Sequence, residues 1–587
     1  MNSSADLSPW LADFATTPAN LGSIIHELHL AIYKGGTLLN ACAAGCDGSG
    51  LVLRTLAEVC LAGTALTPLL GTVVARLRRP IATIRLPLVT TLSWISFTLA
   101  AVTAMIVAVS GPVGITVNES NGRPLVGLWA NHLTVTLLVL VCGVGAIVQS
   151  YSMRYLRSDL EASRFFAGAS LTVASMVVVV TSATAAGLVA GWLATGIGFM
   201  AVVAYRKDLP GVTECVRRMR LIFLLGDGAL VLALGIILLR VGNVDLIQVS
   251  ALQELPGRLG DLGTPVAFLV VVAALARSAQ GPLGSWLPGT VSAPTPVSAL
   301  LHAGVVNGGG ILLIRFAALS SNSTPAMATA FVVAGLTAVG ATAVMLHKSD
   351  VKGSLAFSTM GQMGFMVAEC AVGAYELAVV HLVGHAIYKA TLFFGSGSQV
   401  PRPGRTPVLS RSSGISFQRV AASVAIGGFA VGLLALVSGM ADRRGGGALL
   451  VFVGATAGLG VWSWWATGRP KLMAAWIAAL FAASASYGLI ANGLGHWLTP
   501  ALPGAGGGTL DPWLLLVVAA VGLVFVALMR IPVVRPWLLA TLVDIGTPSA
   551  WFDVGLILRM RSPIRVTAGG LYQALRIGRS ASTRSAT

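Results

Sequence analysis

Three titratable side chains recur at every fourth position of the segment HLVGHAIYKATLFF: His381, His385 and Lys389. On an α-helix that spacing puts all three on one face, with a drift of about 40° per step. Imidazole exchanges protons near neutrality, and a lysine in a low-dielectric interior can give its proton up, so such a ladder is fitted to pass protons. The plainer alternative is three buried residues hydrogen-bonded to neighbouring helices. Titratable groups stacked inside an apolar helix favour the functional reading.

A second group is Arg277, His302 and Asn307. Arg277 closes an apolar run in ALARSAQGPLGSWLP, where Gly281 and Pro282 must interrupt the helix. Broken helices of this kind form ion sites in transporters, because they free backbone groups inside the membrane. Pro294 and Pro296 open the next helix, which carries His302, and Gly308, Gly309 and Gly310 then permit local unwinding or close helix contact. Asp227, in LLGDGAL, is a lone carboxylate that needs a cationic partner: Arg277, His302 or Lys389. Gln362, Ser358 and Thr359 either line a polar path or bridge helices. Glu369 and Glu376 read as solvated at a membrane interface, and Arg315 as snorkelling outward.

The elements that position these groups follow from composition. Of 587 residues, 55% are apolar and only 10% charged, with mean hydropathy +0.84. A soluble protein carries about a quarter charged residues, so much of this surface must face lipid. The chain is read as an all-α polytopic membrane protein of about fifteen spans: 52–75, 86–110, 131–149, 165–183, 185–205, 220–240, 263–280, 294–317, 325–346, 353–372, 375–398, 418–438, 447–467, 472–491 and 512–530. Residues 1–50 form an external segment, 51–530 the bundle, and 531–587 an interfacial helix and basic tail. The net charge of +17 does not indicate nucleic-acid binding, because Arg and Lys lie in short clusters between apolar runs.

Orientation follows from those clusters. Arg76, Arg85, Arg154, Arg164, Arg206, Lys207, Lys348 and Lys352 all fall in alternate loops, which the positive-inside rule places in the cytoplasm. That puts the N-terminus outside and the C-terminus inside a bacterial cell (inner) membrane; the Arg443–Arg444 pair is the one external loop that disobeys. No cleavable leader is expected in the first fifty residues, where His26, Glu27, His29 and Lys34 interrupt the only apolar candidate. The six cysteines show no zinc or iron–sulfur spacing, and Cys42 and Cys46 read as small residues of a Gly/Ala loop. No metal site, cofactor, nucleotide loop, haem ligand pair or hydrolytic centre is expected, so any enzymatic role is that of a translocase subunit.

RSAQGPLGSWLPGTVSAPTPVSALLHAGVVNGGGILLIRF (277–316), DVKGSLAFSTMGQMGFM (350–366) and HLVGHAIYKATLFFGSGS (381–398) together resemble the antiporter-like proton-translocating family. That family includes large membrane subunits of NADH–quinone oxidoreductase, Mrp-type cation/proton antiporters, hydrogenase membrane subunits and the membrane subunit of DabAB-type inorganic-carbon transporters. The resemblance runs through roughly residues 130–400, and YSMRYLRSDLEASRFF (151–166) and the LGD ending at Asp227 add to it. It implies two inverted five-helix repeats, each with a broken helix. It also implies a proton path through Lys389, His385, His381, His302, Asp227 and Arg277, with Asn307, Gln362 and Ser358 beside it.

The departures from the family pattern narrow the function. Respiratory members carry a glutamate after a tryptophan in the fifth helix, and here Leu193 follows Trp192. Their first broken-helix lysine aligns with Arg277, which keeps its charge and so biases a proton without relaying one. Their second broken helix presents a lysine or glutamate, whereas 418–438 has no ionisable residue after Arg419. The respiratory L-type lateral helix is not expected either. The wording of SALLHAGVVNGGG and HLVGHAIYKA is most similar to the inorganic-carbon transporter subunit. That resemblance implies a cation-conducting, energy-coupling subunit beside a cytoplasmic, zinc-bearing, carbonic-anhydrase-like partner that keeps the zinc to itself. The alternatives are a proton-pumping subunit of a respiratory or hydrogenase complex, a Na⁺/H⁺ antiporter subunit, and a non-conducting scaffold.

Overall fold

The computed structural model describes residues 48–77, 82–118, 124–247, 249–345, 350–396, 417–439 and 470–502, with 348, 450 and most of 510–521. Helices of eight residues or more are numbered in chain order. They are α1 (Gly48–Arg76), α2 (Ala82–Ser110), α3 (His132–Tyr155), α4 (Ala162–Thr181), α5 (Ala185–Val203), α6 (Val212–Arg240), α7 (Val249–Leu259), α8 (Gly263–Arg277), α9 (Thr295–Ala303) and α10 (Gly308–Arg315). Then follow α11 (Thr324–Met345), α12 (Val351–Ala371), α13 (Tyr375–Gly395), α14 (Phe417–Ser438) and α15 (Pro470–Leu498). Among the described residues twelve stretches are long and apolar enough to cross a membrane.

Twelve of the fifteen expected spans correspond to those stretches. The expected span 353–372 is the helix α12, but its Ser, Thr, Gln, Met and Glu content keeps it off the apolar set. A helix enclosed by protein instead of lipid has no need to be apolar. The expected span 447–467 lies outside the described residues except for Leu450, and 512–530 lies largely outside them, as do segments 1–47 and 522–587. The pairs Cys42–Cys46 and Arg443–Arg444 lie there too. Helix α6 starts at Val212, earlier than expected. Arg217 and Arg218 therefore ride its first turns, both bonded to Glu214, instead of lying in a loop.

Two further corrections concern shape. A short antiparallel hairpin, β1 (Val113–Asn118) with β2 (Pro124–Ala130), joins α2 to α3, so the bundle is not purely helical. It lies beyond the helix ends and meets Ser182 through a bridge at Leu128, while Thr184 pairs with Asp245. The stretch expected as one helix over 294–317 is instead α9, a tight turn at Val305–Asn307 and α10.

Caps fix where the helices begin. Asn131 accepts from Thr134 N at 3.0 Å while Thr134 Oγ1 accepts from Asn131 N at 2.7 Å, a reciprocal box that opens α3. Thr184 and Asp350 cap α5 and α12 in the same sense. The segment Thr295–Arg315 forms the centre, with 94% of its most apolar window buried, whereas Ala474–Ala501 is 11% buried and peripheral. At the end of the bundle opposite the hairpin, a cavity of about 990 Å³ gathers Arg76, Arg85, Arg164 and Lys207. Residues of three of the basic loops therefore meet at one end of the bundle.

Candidate functional site

The first element of the site is the end of α8. The helix stops at Arg277, Ala279 takes φ 53°, and the chain turns through a cis Gly281–Pro282 bond. The freed polar groups find partners around it. Trp286 Nε1 donates to Ala276 O at 3.1 Å, Thr337 Oγ1 accepts from Gly281 N at 3.0 Å, and Gln280 Nε2 donates to Ser278 O at 2.6 Å. Ser278 Oγ donates to Val306 O at 3.0 Å, tying this break to the unwound turn between α9 and α10. The first interruption thus helps satisfy the second, and such local partners are how irregular backbone survives away from water.

Close helix contact makes that tie possible. A Cβ on Gly309 would lie 2.2 Å from Ser278 Oγ and 2.3 Å from Ala274 O, so only glycine lets α10 approach α8 there. Gly226 does the same for α6, where a Cβ would meet Ala276 Cβ at 2.6 Å. Of the two roles open to Gly308–Gly310, the structure uses close contact, and the unwinding falls just before them at Gly304–Asn307.

Approach of α6 brings Asp227 to Arg277. Arg277 Nη2 donates to Asp227 Oδ1 at 2.8 Å, and Trp192 Nε1 donates to the same oxygen at 2.8 Å. The guanidinium stands 4.4 Å from the Trp192 ring and 4.4 Å from the Phe223 ring. Of the three cations offered to Asp227 by the sequence, the fold selects Arg277. This cluster is 2% exposed at the arginine and is held by an ion pair, a second donor to the same carboxylate oxygen and two aromatic faces.

The second element is the helix pair α12–α13. Lys389 is fully buried, and its Nζ donates to Leu355 O at 3.4 Å. No carboxylate pairs with it among the described residues. His385 is 4% exposed, and neither ring nitrogen makes a well-formed hydrogen bond among the described residues. His381, one turn earlier, lies 6.3 Å from His385 between ring centroids. His302 on α9 stacks on Phe393 of α13, with centroids 4.4 Å apart and planes 15° apart, within electrostatic reach of Lys389. The predicted ladder is thus assembled on one face, and His302 joins it.

Two sequence expectations fail here. Glu369 is not solvated at an interface: it is 1% exposed, and its Oε2 meets His381 Nδ1 at 2.9 Å. The α12–α13 turn at 372–374 is so short that the two helices pack antiparallel and bring positions 369 and 381 together. That register was the available signal. Arg315 does not snorkel: it is 8% exposed and donates to Ser182 O. Asn307 is 2% exposed beside the unwound turn, Gln362 is half-buried with its Oε1 unpartnered among the described residues, and Ser358 is half-buried on α12. Among the described residues no three His, Cys, Asp or Glu side chains are grouped to hold a metal ion.

Residues 182–436 match the family described as NADH:quinone oxidoreductase/Mrp antiporter, TM, and residues 122–166 match the complex I chain 5 N-terminus. A probable inorganic carbon transporter subunit DabB1 of Halothiobacillus neapolitanus is 37% identical over 277 residues, 46% of this chain and 50% of that protein. NADH-quinone oxidoreductase subunit L of Mycobacterium tuberculosis is 29% identical over 314 residues, 53% and 49% of the two chains. The chain spans about half the length of the curated relatives it matches. A chain of the Mrp complex from Dietzia sp. DQ12-45-1b shares the fold, with TM-score 0.55 and 22% identity over 91% of this chain and 60% of that one.

Proposed function

Because the chain belongs to the antiporter-like proton-translocating family of NADH:quinone oxidoreductase and Mrp membrane subunits, we propose that it is the proton-conducting, energy-coupling membrane subunit of an inorganic-carbon uptake complex. The observation that carries the proton path is the ladder itself: a fully buried lysine without an ionic partner among the described residues, continued by two histidines at one-turn spacing. A buried ammonium that no carboxylate neutralises is costly, and costly groups inside a membrane bundle persist where they work. Similarity to the DabB1 subunit supports the carbon-uptake assignment, as does the replacement of the respiratory glutamate by Leu193.

In the mechanism, protons enter near the His381–His385–Lys389 face and pass His302. The ladder runs beside α12 from Glu369 to Leu355, about 21 Å of helix at 1.5 Å per residue. Arg277 and Asp227 act as fixed charges beside this route, since a guanidinium does not give up its proton. The basic end of the bundle faces the cytoplasm of a bacterial cell by the positive-inside rule, and the hairpin faces outside. A cytoplasmic, zinc-bearing, carbonic-anhydrase-like subunit would dock at the basic end and use the proton gradient to drive directional CO₂ hydration.

The test is a mild-detergent pull-down from the native membrane, with mass spectrometry and metal analysis of what comes down. One large zinc-containing soluble partner supports the proposal. A set of iron–sulfur and quinone-site subunits replaces it with a respiratory or hydrogenase module, the alternative that similarity to subunit L favours. In proteoliposomes Lys389→Ala is expected to abolish proton flux. Loss of flux in His302→Ala with Lys389→Ala silent would sink the assignment of the path.

A further inference from the structure

The proton path above leaves a buried carboxylate unused. Glu369 sits in the last turn of α12, 1% exposed, with Tyr487 of α15 within electrostatic reach and Phe365 closing over His381 at 5.9 Å. A carboxylate is expensive to bury, and a residue needed only for packing would be apolar. We propose that Glu369 is the proton-exchanging carboxylate at the hairpin-side mouth of the ladder, and that it sets the orientation of His381. This deepens the proton-path reading and rests on it.

Three observations carry the proposal. The first is geometry. Glu369 Oε2 lies 2.9 Å from His381 Nδ1, so the carboxylate takes the Nδ1 proton and leaves Nε2 as the acceptor for a proton arriving along α13. His381 is 20% exposed at its side chain while Glu369 is closed off, so the histidine is the more accessible of the two and the glutamate its buried partner.

The second is the distribution of charge. Among the described buried side chains, Arg277 is neutralised by Asp227, and Arg315 is held by the Ser182 carbonyl near the hairpin. Lys389 and Glu369 remain, one cation and one anion, at opposite ends of the same row of imidazoles. Neither touches the other, yet together they leave the row neutral.

The third is that a proton moved along the row preserves this neutrality. The step starts from an ammonium at Lys389 and a carboxylate at Glu369. His385 takes a proton from Lys389 Nζ on one ring nitrogen and releases one from the other. His381 takes that proton on Nε2 and passes its Nδ1 proton to Glu369. The end state is a neutral amine and a carboxylic acid, with both imidazoles neutral again and no net charge created in the interior. Ring centroids 6.3 Å apart, with no hydrogen bond between the rings, mean that His381 and His385 must close on each other or be bridged before a proton crosses. Without Glu369 the same transfer would leave an uncompensated charge at the mouth, a cost the low-dielectric interior magnifies.

The experiment is pH-jump proton flux in proteoliposomes of the full chain, normalised to inserted protein, for Glu369→Gln, Glu369→Asp, His381→Gln and the Glu369→Gln/His381→Gln double variant. Glu376→Gln is the control, since Glu376 bonds Thr499 at the helix end and takes no part in the ladder. Flux is expected to fall at least about tenfold in Glu369→Gln, with most of it restored by aspartate and with no further loss in the double variant, because the pair acts as a unit. Parent-like flux in Glu369→Gln, with Lys389→Ala inactive, overturns the proposal while leaving the proton path standing. Equal loss in the aspartate and glutamine variants, or an additive double variant, reduces Glu369 to packing and overturns it as well. Where the glutamine variant does not insert, His381→Gln carries the test, and parent-like flux there overturns it too. Full flux in Lys389→Ala removes the path beneath the proposal, a distinct result.

Discussion

The two polar regions of the bundle hold cations in opposite ways. At the end of α8, Arg277 is gripped by Asp227 and stacked between Trp192 and Phe223. On α13, Lys389 has a single long contact to a backbone carbonyl, with its counter-charge at the far end of a row of histidines. A guanidinium paired and sandwiched in this way is a fixed charge whose removal costs stability. An ammonium left without an ionic partner is one whose proton is free to move. On the proposed path the first region would hold a field in place and the second would let a charge travel.

Several substitutions separate these roles. The largest effect is expected for Lys389→Ala: proton flux in proteoliposomes falls about 100-fold or more, while the thermal midpoint in detergent stays near that of the parent. A collapse of the midpoint together with flux would make the ladder a scaffold and erase the contrast. Asp227→Asn should do the reverse. It strands Arg277 in the core and is expected to cost about 3–5 kcal/mol of stability, with most of it recovered when Arg277→Met is added. An unchanged midpoint in the single variant would show that the pair is not what holds this cluster.

Smaller effects sharpen the comparison. Arg277→Lys keeps the charge but loses the planar stack on Trp192 and Phe223. It should lower stability by about 1–2 kcal/mol with flux retained or raised, read as a midpoint shift beside a flux assay. Phe393→Leu removes the ring under His302 and should cost about 0.5–1.5 kcal/mol. Flux lost in Phe393→Leu at unchanged stability would place His302 more deeply in the path than the fixed cluster is.

Much of the site was legible because its groups are local. His381, His385 and Lys389 share a face by helical spacing alone, and Gly281–Pro282 announces the break after Arg277. What escaped depends on contacts between elements. Glu369 looks interfacial on its own helix and becomes a partner of His381 only when the tight turn at 372–374 folds α13 back. Arg315 looks like a residue at a helix end until Ser182 meets it. The unwinding before Gly308 and the hairpin over 113–130 left no clear sign, since both depend on neighbours that satisfy the backbone.

By itself the sequence determined that this chain is a helical membrane bundle, and its motifs carried the resemblance to the family whose model matches residues 182–436. Those properties follow from composition, hydropathy and charge spacing, which act along the chain. Only the tertiary structure decided that Arg277 is the partner of Asp227, that Ser278 at the break of α8 bonds the unwound turn between α9 and α10, and that Glu369 meets His381. The physical reason is that an ion pair or a hydrogen bond in a low-dielectric interior depends on distances of about 3 Å, and those distances are set between helices far apart in sequence.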